Sequence, residues 1–139
     1  MDEPELRLLE RFKFLVASIK TDMHNFKELK VWKFGIELSK LIFETTREFP
    51  NEHKFGIANQ MFRCAVSIPS NIAEGCGRKS DKELKQFISI SLGSAFELDT
   101  QIVISKEVGL ISTEQFDILQ IKIIEIQKML NGFAKSLNA

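Results

Sequence analysis

The run from Val66 to Ser80, Val-Ser-Ile-Pro-Ser-Asn-Ile-Ala-Glu-Gly-Cys-Gly-Arg-Lys-Ser, constrains this chain most, because it sets a proline and two glycines inside an otherwise helical sequence. Pro69 lacks a backbone donor and crowds the preceding turn. A helix passing through it is expected to kink there, with Ser67 and Ser70 partnering the freed backbone groups. Gly75-Cys76-Gly77 then ends that helix, and Ser80 followed three residues later by Glu83 is the capping-box signature of another. The segment reads as helix, tight turn, helix.

Helical periodicity continues on both sides. Over residues 1–22, Leu6, Leu9, Phe12, Val16 and Ile19 recur at steps of three and four behind Pro4, which suits a first helical turn. A second helix, about 29–48, carries Trp32, Ile36, Ile42 and Phe43 and stops at Phe49-Pro50, since a residue before proline avoids helical angles. Asn51 is placed to cap the third, with Glu52 favourable in its first turn. Phe55, Ile57, Met61, Cys64, Ala65 and Ile68 carry that helix to Pro69. A fourth, Asp81 to Val108, presents Leu84, Phe87, Ile88, Ser91, Ala95, Leu98 and Ile102, while Ser89, Gly93 and Ser94 are small enough to admit a close neighbour. Gly109 ends it.

The last helix opens with a second capping box, Ser112 and Gln115. Phe116, Leu119, Ile123, Ile126, Leu130, Phe133 and Leu137 then alternate steps of three and four, the narrow seam of a bundle. Ile118, Ile121, Ile124 and Met129 lie off that seam. The helix is thus apolar over more of its circumference than one core requires, which points to a subunit interface.

No stretch shows the two-residue period of a strand. The expected architecture is all-α: an up-down-up-down antiparallel four-helix bundle over residues 26–139, with an extra N-terminal helix in an extension over 1–25. A length of 139 residues with 44% hydrophobic content leaves room for one bundle domain and its core. Twelve Phe, one Trp and no Tyr favour packing over polar recognition, and Trp32 is read as a packing residue.

Cys64 and Cys76 would lie roughly 18 Å apart along one helix and cannot pair with each other. Free thiols fit a reducing compartment. The N-terminus, Met-Asp-Glu-Pro-Glu, is acidic, and its longest apolar stretch, Phe14 to Ala17, is far shorter than a signal-peptide core or a membrane span. The expectation is a cytoplasmic protein without membrane association.

These residues resemble the four-helix-bundle family of 23S rRNA intervening-sequence proteins. The resemblance rests on Phe26-Lys-Glu-Leu-Lys-Val-Trp-Lys at the domain start, Phe49-Pro50 with Phe55-Gly56-Ile57, and Gln60 with Arg63. It extends through Ser67-Ile-Pro-Ser-Asn-Ile-Ala-Glu-Gly75, Gly77-Arg78, and Gly93-Ser94 before Glu97-Leu98. It implies a cytoplasmic, non-enzymatic bundle that assembles with itself into a ring, commonly a pentamer. A related branch, the accessory variability proteins of diversity-generating retroelements, forms similar pentamers that bind nucleic acid and a reverse transcriptase through basic surfaces. Three features depart from that pattern: Phe62 where many relatives carry a second arginine, His53 in place of a frequent acidic residue, and residues 1–22 ahead of the usual start.

The function this supports is a binding or scaffold module associated with RNA or a nucleoprotein. Arg63, Arg78, Lys79, Lys82 and Lys85 are the nucleic-acid candidates, the last four being the densest basic cluster. A solvated helix start is the plainer account of that cluster, since Asp81 and Glu83 interrupt it. A formal net charge of zero and an isoelectric point near 6.7 favour the alternative, a structural or protein-interaction oligomer that touches no nucleic acid. Asn71 and Glu74, one turn apart, are expected to form a structural polar network with partners such as Arg63 or Arg78. Gly75 to Ser80 sets glycines and a basic pair before a helix start, but it lacks the spacing of a phosphate-binding loop.

An enzyme reading has one foothold. Arg47 and His53 have the spacing of some helical ribonucleases, but Pro50 lies between them, so the pair spans a turn rather than one helical face. His24 falls in the linker. No Glu-x-x-His pair exists for a di-iron bundle site and no Cys/His spacing for zinc, so neither a metal nor a cofactor is expected.

Overall fold

The apolar spacing and the helix-ending residues produce five α-helices in the computed structural model, which describes residues 1–22 and 25–138, with the backbone alone over 16–22. They are α1 (Glu3–Asp22), α2 (Lys30–Thr46), α3 (Asn59–Cys76), α4 (Asp81–Glu107) and α5 (Thr113–Ser136). Among the described residues there is no strand, and the fold is all-α. Val16 and Ile19, placed above on the first helix's apolar stripe, have side chains outside the described residues, as do the linker residues Met23 and His24.

The helix ends follow local chemistry. Ser112 Oγ accepts the Gln115 N–H at 3.1 Å while Gln115 Oε1 accepts the Ser112 N–H at 2.8 Å, a complete capping box that opens α5. Ser80 makes the forward half of its own box, accepting the Glu83 N–H at 3.2 Å. α4 closes on Gly109, whose φ of +80° is the one positive value among the described residues. That conformation lets the Gly109 and Leu110 N–H groups reach the Lys106 and Ser105 carbonyls at 3.0 and 2.8 Å.

Around the bundle α2 packs on α3, α3 on α4, α4 on α5, and α5 returns to α2. Leu38, Ile42, Met61, Ile68, Ile72, Ile88, Leu98, Ile102, Leu119, Ile123, Ile126 and Leu130 are fully buried along its axis. Burying each is worth roughly 1.5–3 kcal/mol, which is why these positions dictate how the helices face one another. Trp32 sits half-buried, edge-on to Phe26 at 5.5 Å, where the chain enters the bundle. α4 is long and apolar enough by composition to cross a membrane; here it is a bundle helix packed on both α3 and α5. α1 has no comparable packing partner among the described residues, and its side chains from Met1 to Leu15 are exposed.

α3 runs from Asn59 to Cys76 with Pro69 inside it, and a separate break in helical angles falls at Gly56 (φ −100°, ψ −114°) in the π-turn Lys54–Ala58. Pro69 is buried against α2 at Gly35, where a Cβ would come within 3.2 Å of the proline ring, so a missing side chain makes room for it. Asn51 is not a helix cap; it begins the 3-10 turn Asn51–His53. Of the three small residues read on α4, Ser94 does meet α3, sharing a 2.7 Å hydrogen bond with Ser67, while Ser89 is exposed and a Cβ on Gly93 would have nothing within 4 Å. α3 and α4 also approach closely at Gly75.

Candidate functional site

The sequence candidates fall in two places along α3 and α4. Arg78, Lys79, Lys82 and Lys85 gather around the turn that joins the helices, because α3 stops at Gly77 and α4 starts within four residues. Arg78, Lys79 and Lys82 are exposed and Lys85 is partly buried. Arg78 is fixed from two sides. Its Nη2 donates to Glu74 Oε1 at 3.0 Å one turn back, and its guanidinium lies 4.7 Å from the centre of the Phe87 ring on α4. Glu74, Asp81 and Glu83 stand among these cations and dilute the patch.

Arg63 belongs elsewhere. It is exposed on α3, about 20 Å down the helix axis from Gly77 at 1.5 Å per residue. There it shares a cleft of roughly 320 Å³ with Gln60, Cys64, Ser67, Ser94 and Glu97.

That cleft opens onto a line of hydrogen bonds between α3 and α4. Cys64 Sγ donates to the Ser94 carbonyl at 3.1 Å, Ser67 and Ser94 share a hydrogen bond of 2.7 Å, and Asn71 Nδ2 donates to the Ser67 carbonyl and Oγ at 2.8 and 3.0 Å. Deeper in, Ser91 Oγ donates to the Ile68 carbonyl at 2.9 Å. Asn71 and Glu74 are therefore engaged separately: Asn71 holds this line and Glu74 holds Arg78. Cys64 is buried, which pushes its thiol pKa up to about 12, and the Glu97 carboxylate adds to the push; burial also raises Cys76. Such thiols stay protonated and poorly nucleophilic at neutral pH.

At the neighbouring α4–α5 seam Asp99 bridges two turns of α5, its Oδ1 accepting from Gln120 Nε2 at 2.8 Å and its Oδ2 from Gln127 Nε2 at 2.9 Å. Arg47 and His53 each face a neighbouring carboxylate, Glu48 and Glu52, at 3.6 Å. Among the described residues no three His, Cys, Asp or Glu side chains come together as a metal site would require.

Residues 27–132 match the family model described as 23S rRNA-intervening sequence protein. This chain belongs to the 23S rRNA-intervening sequence protein family. The match covers the bundle and leaves α1 outside it. Among solved structures the chain is similar to a protein from Bacteroides thetaiotaomicron VPI-5482, described as one of unknown function from the S23 ribosomal protein family. The two are 25% identical with a TM-score of 0.71, and the likeness covers 76% of this chain and 95% of that one. No curated protein matches the sequence.

Two contacts were not legible in this family member's sequence. Phe87 under Arg78 and Ser94 beside Ser67 each come from the helix that follows, and nothing in the local spacing announces either. Phe87 was readable as apolar, but its role as a platform for a cation depends on the angle at which α4 leaves the turn.

Proposed function

We propose that this 23S rRNA-intervening sequence protein is a non-enzymatic, homo-oligomeric bundle that serves as a cytoplasmic binding or scaffold module, with RNA or a nucleoprotein as its target. The observation that carries this reading is the apolar surface left outside the core. On α5, Ile118, Ile121 and Ile124 are 51%, 68% and 40% exposed, although the seam beside them is buried. Phe96 and Val103 on α4 and Val108 at its C-cap are exposed as well. Exposed apolar side chains on two neighbouring helices fit contact between copies.

The RNA part draws on the exposed cations at the α3–α4 turn, with Arg63 on the same pair of helices. One such patch is weak, and repetition around an assembly multiplies it, so modest contacts per subunit give useful avidity. The ring, a pentamer in similar proteins, sets how many copies act together. Filter binding of ribosomal RNA to the purified protein at low ionic strength tests this, because phosphate contacts are strongest there. Binding that weakens steeply with salt is expected, and none at low salt removes the nucleic-acid target.

The second reading is an oligomer that binds only protein. A formal net charge of zero favours it, since 19 acidic residues offset the 19 basic ones and no net positive field draws a phosphate backbone. The ribonuclease reading of Arg47 and His53 predicts RNA cleavage lost in His53→Ala; absence of cleavage by the wild type ends it.

A further inference from the structure

The chain carries two apolar faces that its own fold leaves open, one on α1 and one between α2 and α3. At 3.6 residues per turn, Leu8, Leu9, Phe12 and Leu15 fall within an arc of about 120° on α1. They are 54%, 40%, 56% and 51% exposed. Between α2 and α3, Ile36, Phe43 and Phe62 line a groove of roughly 400 Å³ with Ser39, Lys40 and Glu44 at its edges. The Phe43 and Phe62 rings meet at 5.5 Å to form its floor. Beyond Phe43 the groove continues toward Arg47 and Lys54.

We propose that α1 of one copy docks in the α2–α3 groove of a second copy. The proposal rests on the self-association read above and names one contact that makes it. The two faces match in length, because Leu8 to Leu15 and Ile36 to Phe43 are each seven residue steps, about 10 Å of helix. When α1 runs antiparallel to α2, Leu8 lies over Phe43 and Leu15 over Ile36. Charge favours this register at Arg7, which falls level with Glu44, and at Glu5, which reaches the Arg47 and Lys54 end of the groove; it opposes Glu3, which falls level with Glu48, the carboxylate that Arg47 already faces. Arg11 falls level with Lys40, a like-charged encounter in this register. Each copy gives a helix and receives one, so the contact closes as a reciprocal exchange between two copies, passes around a ring or runs along a filament. α1 lies outside the span matched by the family model, so this contact is an addition particular to chains with such an extension.

Complementation in the full chain tests it. Phe12→Glu spoils the donor and Phe43→Glu the acceptor; both positions are at least half exposed in the single chain, and circular dichroism verifies that each variant folds. Ile36→Glu replaces Phe43→Glu if the latter unfolds. Sedimentation should show each variant alone as a smaller species than the wild type, keeping only what the α4–α5 face holds together. An equimolar mixture should form a larger species than either variant alone, because one intact helix meets one intact groove. If both variants assemble like the wild type, copies meet through another face and this contact is wrong while self-association stands. Pairing of α1 with α1 would leave Phe43→Glu unaffected, and α1 folding onto its own chain would leave the mixture unassociated; either overturns the proposal. A wild type that sediments as a single subunit removes the self-association reading as well.

Discussion

Gly75 and Phe87 are packed so closely that a Cβ built on the glycine would sit 2.8 Å from the Cβ of the phenylalanine, with Leu84 Cδ1 at 2.9 Å. A Phe Cβ is tied to its backbone and cannot swing aside. Gly75→Ala therefore forces α3 and α4 apart near their turn. Overpacking of about 1–3 kcal/mol opposes the helix-propensity gain of about 1 kcal/mol, leaving a net loss of up to roughly 2 kcal/mol in urea denaturation. A raised midpoint would mean that the helices do not approach as described.

The same substitution at Gly93 has the opposite sign. Gly93 lies inside α4 with nothing within 4 Å of a Cβ, so alanine adds helix propensity without a clash. Gly93→Ala is expected to raise stability by about 0.5–1 kcal/mol. Loss of assembly with intact folding in this variant would place Gly93 in a contact between subunits.

Removing the carboxylate of Asp99 strands two amides at once. Gln120 and Gln127 both donate to it from α5 and both are partly buried. Asp99→Ala should cost about 1–2 kcal/mol, the range for a charge-assisted bond pair open to some solvent. Asp99→Asn, which keeps one acceptor, should lose less; equal losses would show that the bridge contributes through packing alone.

Cys64 should react with a thiol reagent such as DTNB only as fast as the protein opens, since the buried group keeps its proton until about pH 12. Its folded pKa lies above the ordinary value of 9.0, so the neutral thiol is the form the fold favours. The associated stability is fully present below pH 9 and declines between pH 9 and 12, where unfolded chains lose a proton that folded ones retain. The slope is up to about 1.4 kcal/mol per pH unit for this thiol. Cys64→Ala should flatten that alkaline decline; rapid labelling of native protein at neutral pH would contradict the burial.

Reversing the two freest cations of the turn separates binding from folding. Lys79→Glu with Lys82→Glu leaves the core untouched, so the melting curve should stay within about 0.5 kcal/mol of wild type. RNA affinity at low salt should fall, and the salt dependence should flatten by roughly 1.4–1.8 in log–log slope for two lost phosphate contacts. RNA binding that persists with the wild-type slope would move the contact surface away from this turn.

Much of this was legible in the linear sequence because the signals are local. Pro50 ends α2, Ser112 and Gln115 cap α5, and the three-four spacing from Leu119 to Leu130 names buried residues, since each depends on neighbours within one or two turns. The candidate site was less legible. Arg63 and Arg78 share a helix and its end and look like one basic group, yet the rise of α3 sets them about 20 Å apart. Asn71 and Glu74 sit one turn apart and turn to different partners, because Ser67 lies on one side and Arg78 on the other.

What the sequence by itself determined was where helices begin and end and which stripe of each is apolar, because dihedral preference, capping and periodicity act over a few residues. What only the tertiary structure decided was how those stripes pair. Pro69 packs against α2 because Gly35 lies opposite, and Gly75 is confined because Phe87 on α4 crosses it. The groove at Phe43 exists because Phe62 on α3 meets it. Such encounters join residues far apart in the chain, and only the packing of whole helices fixes which of them occur.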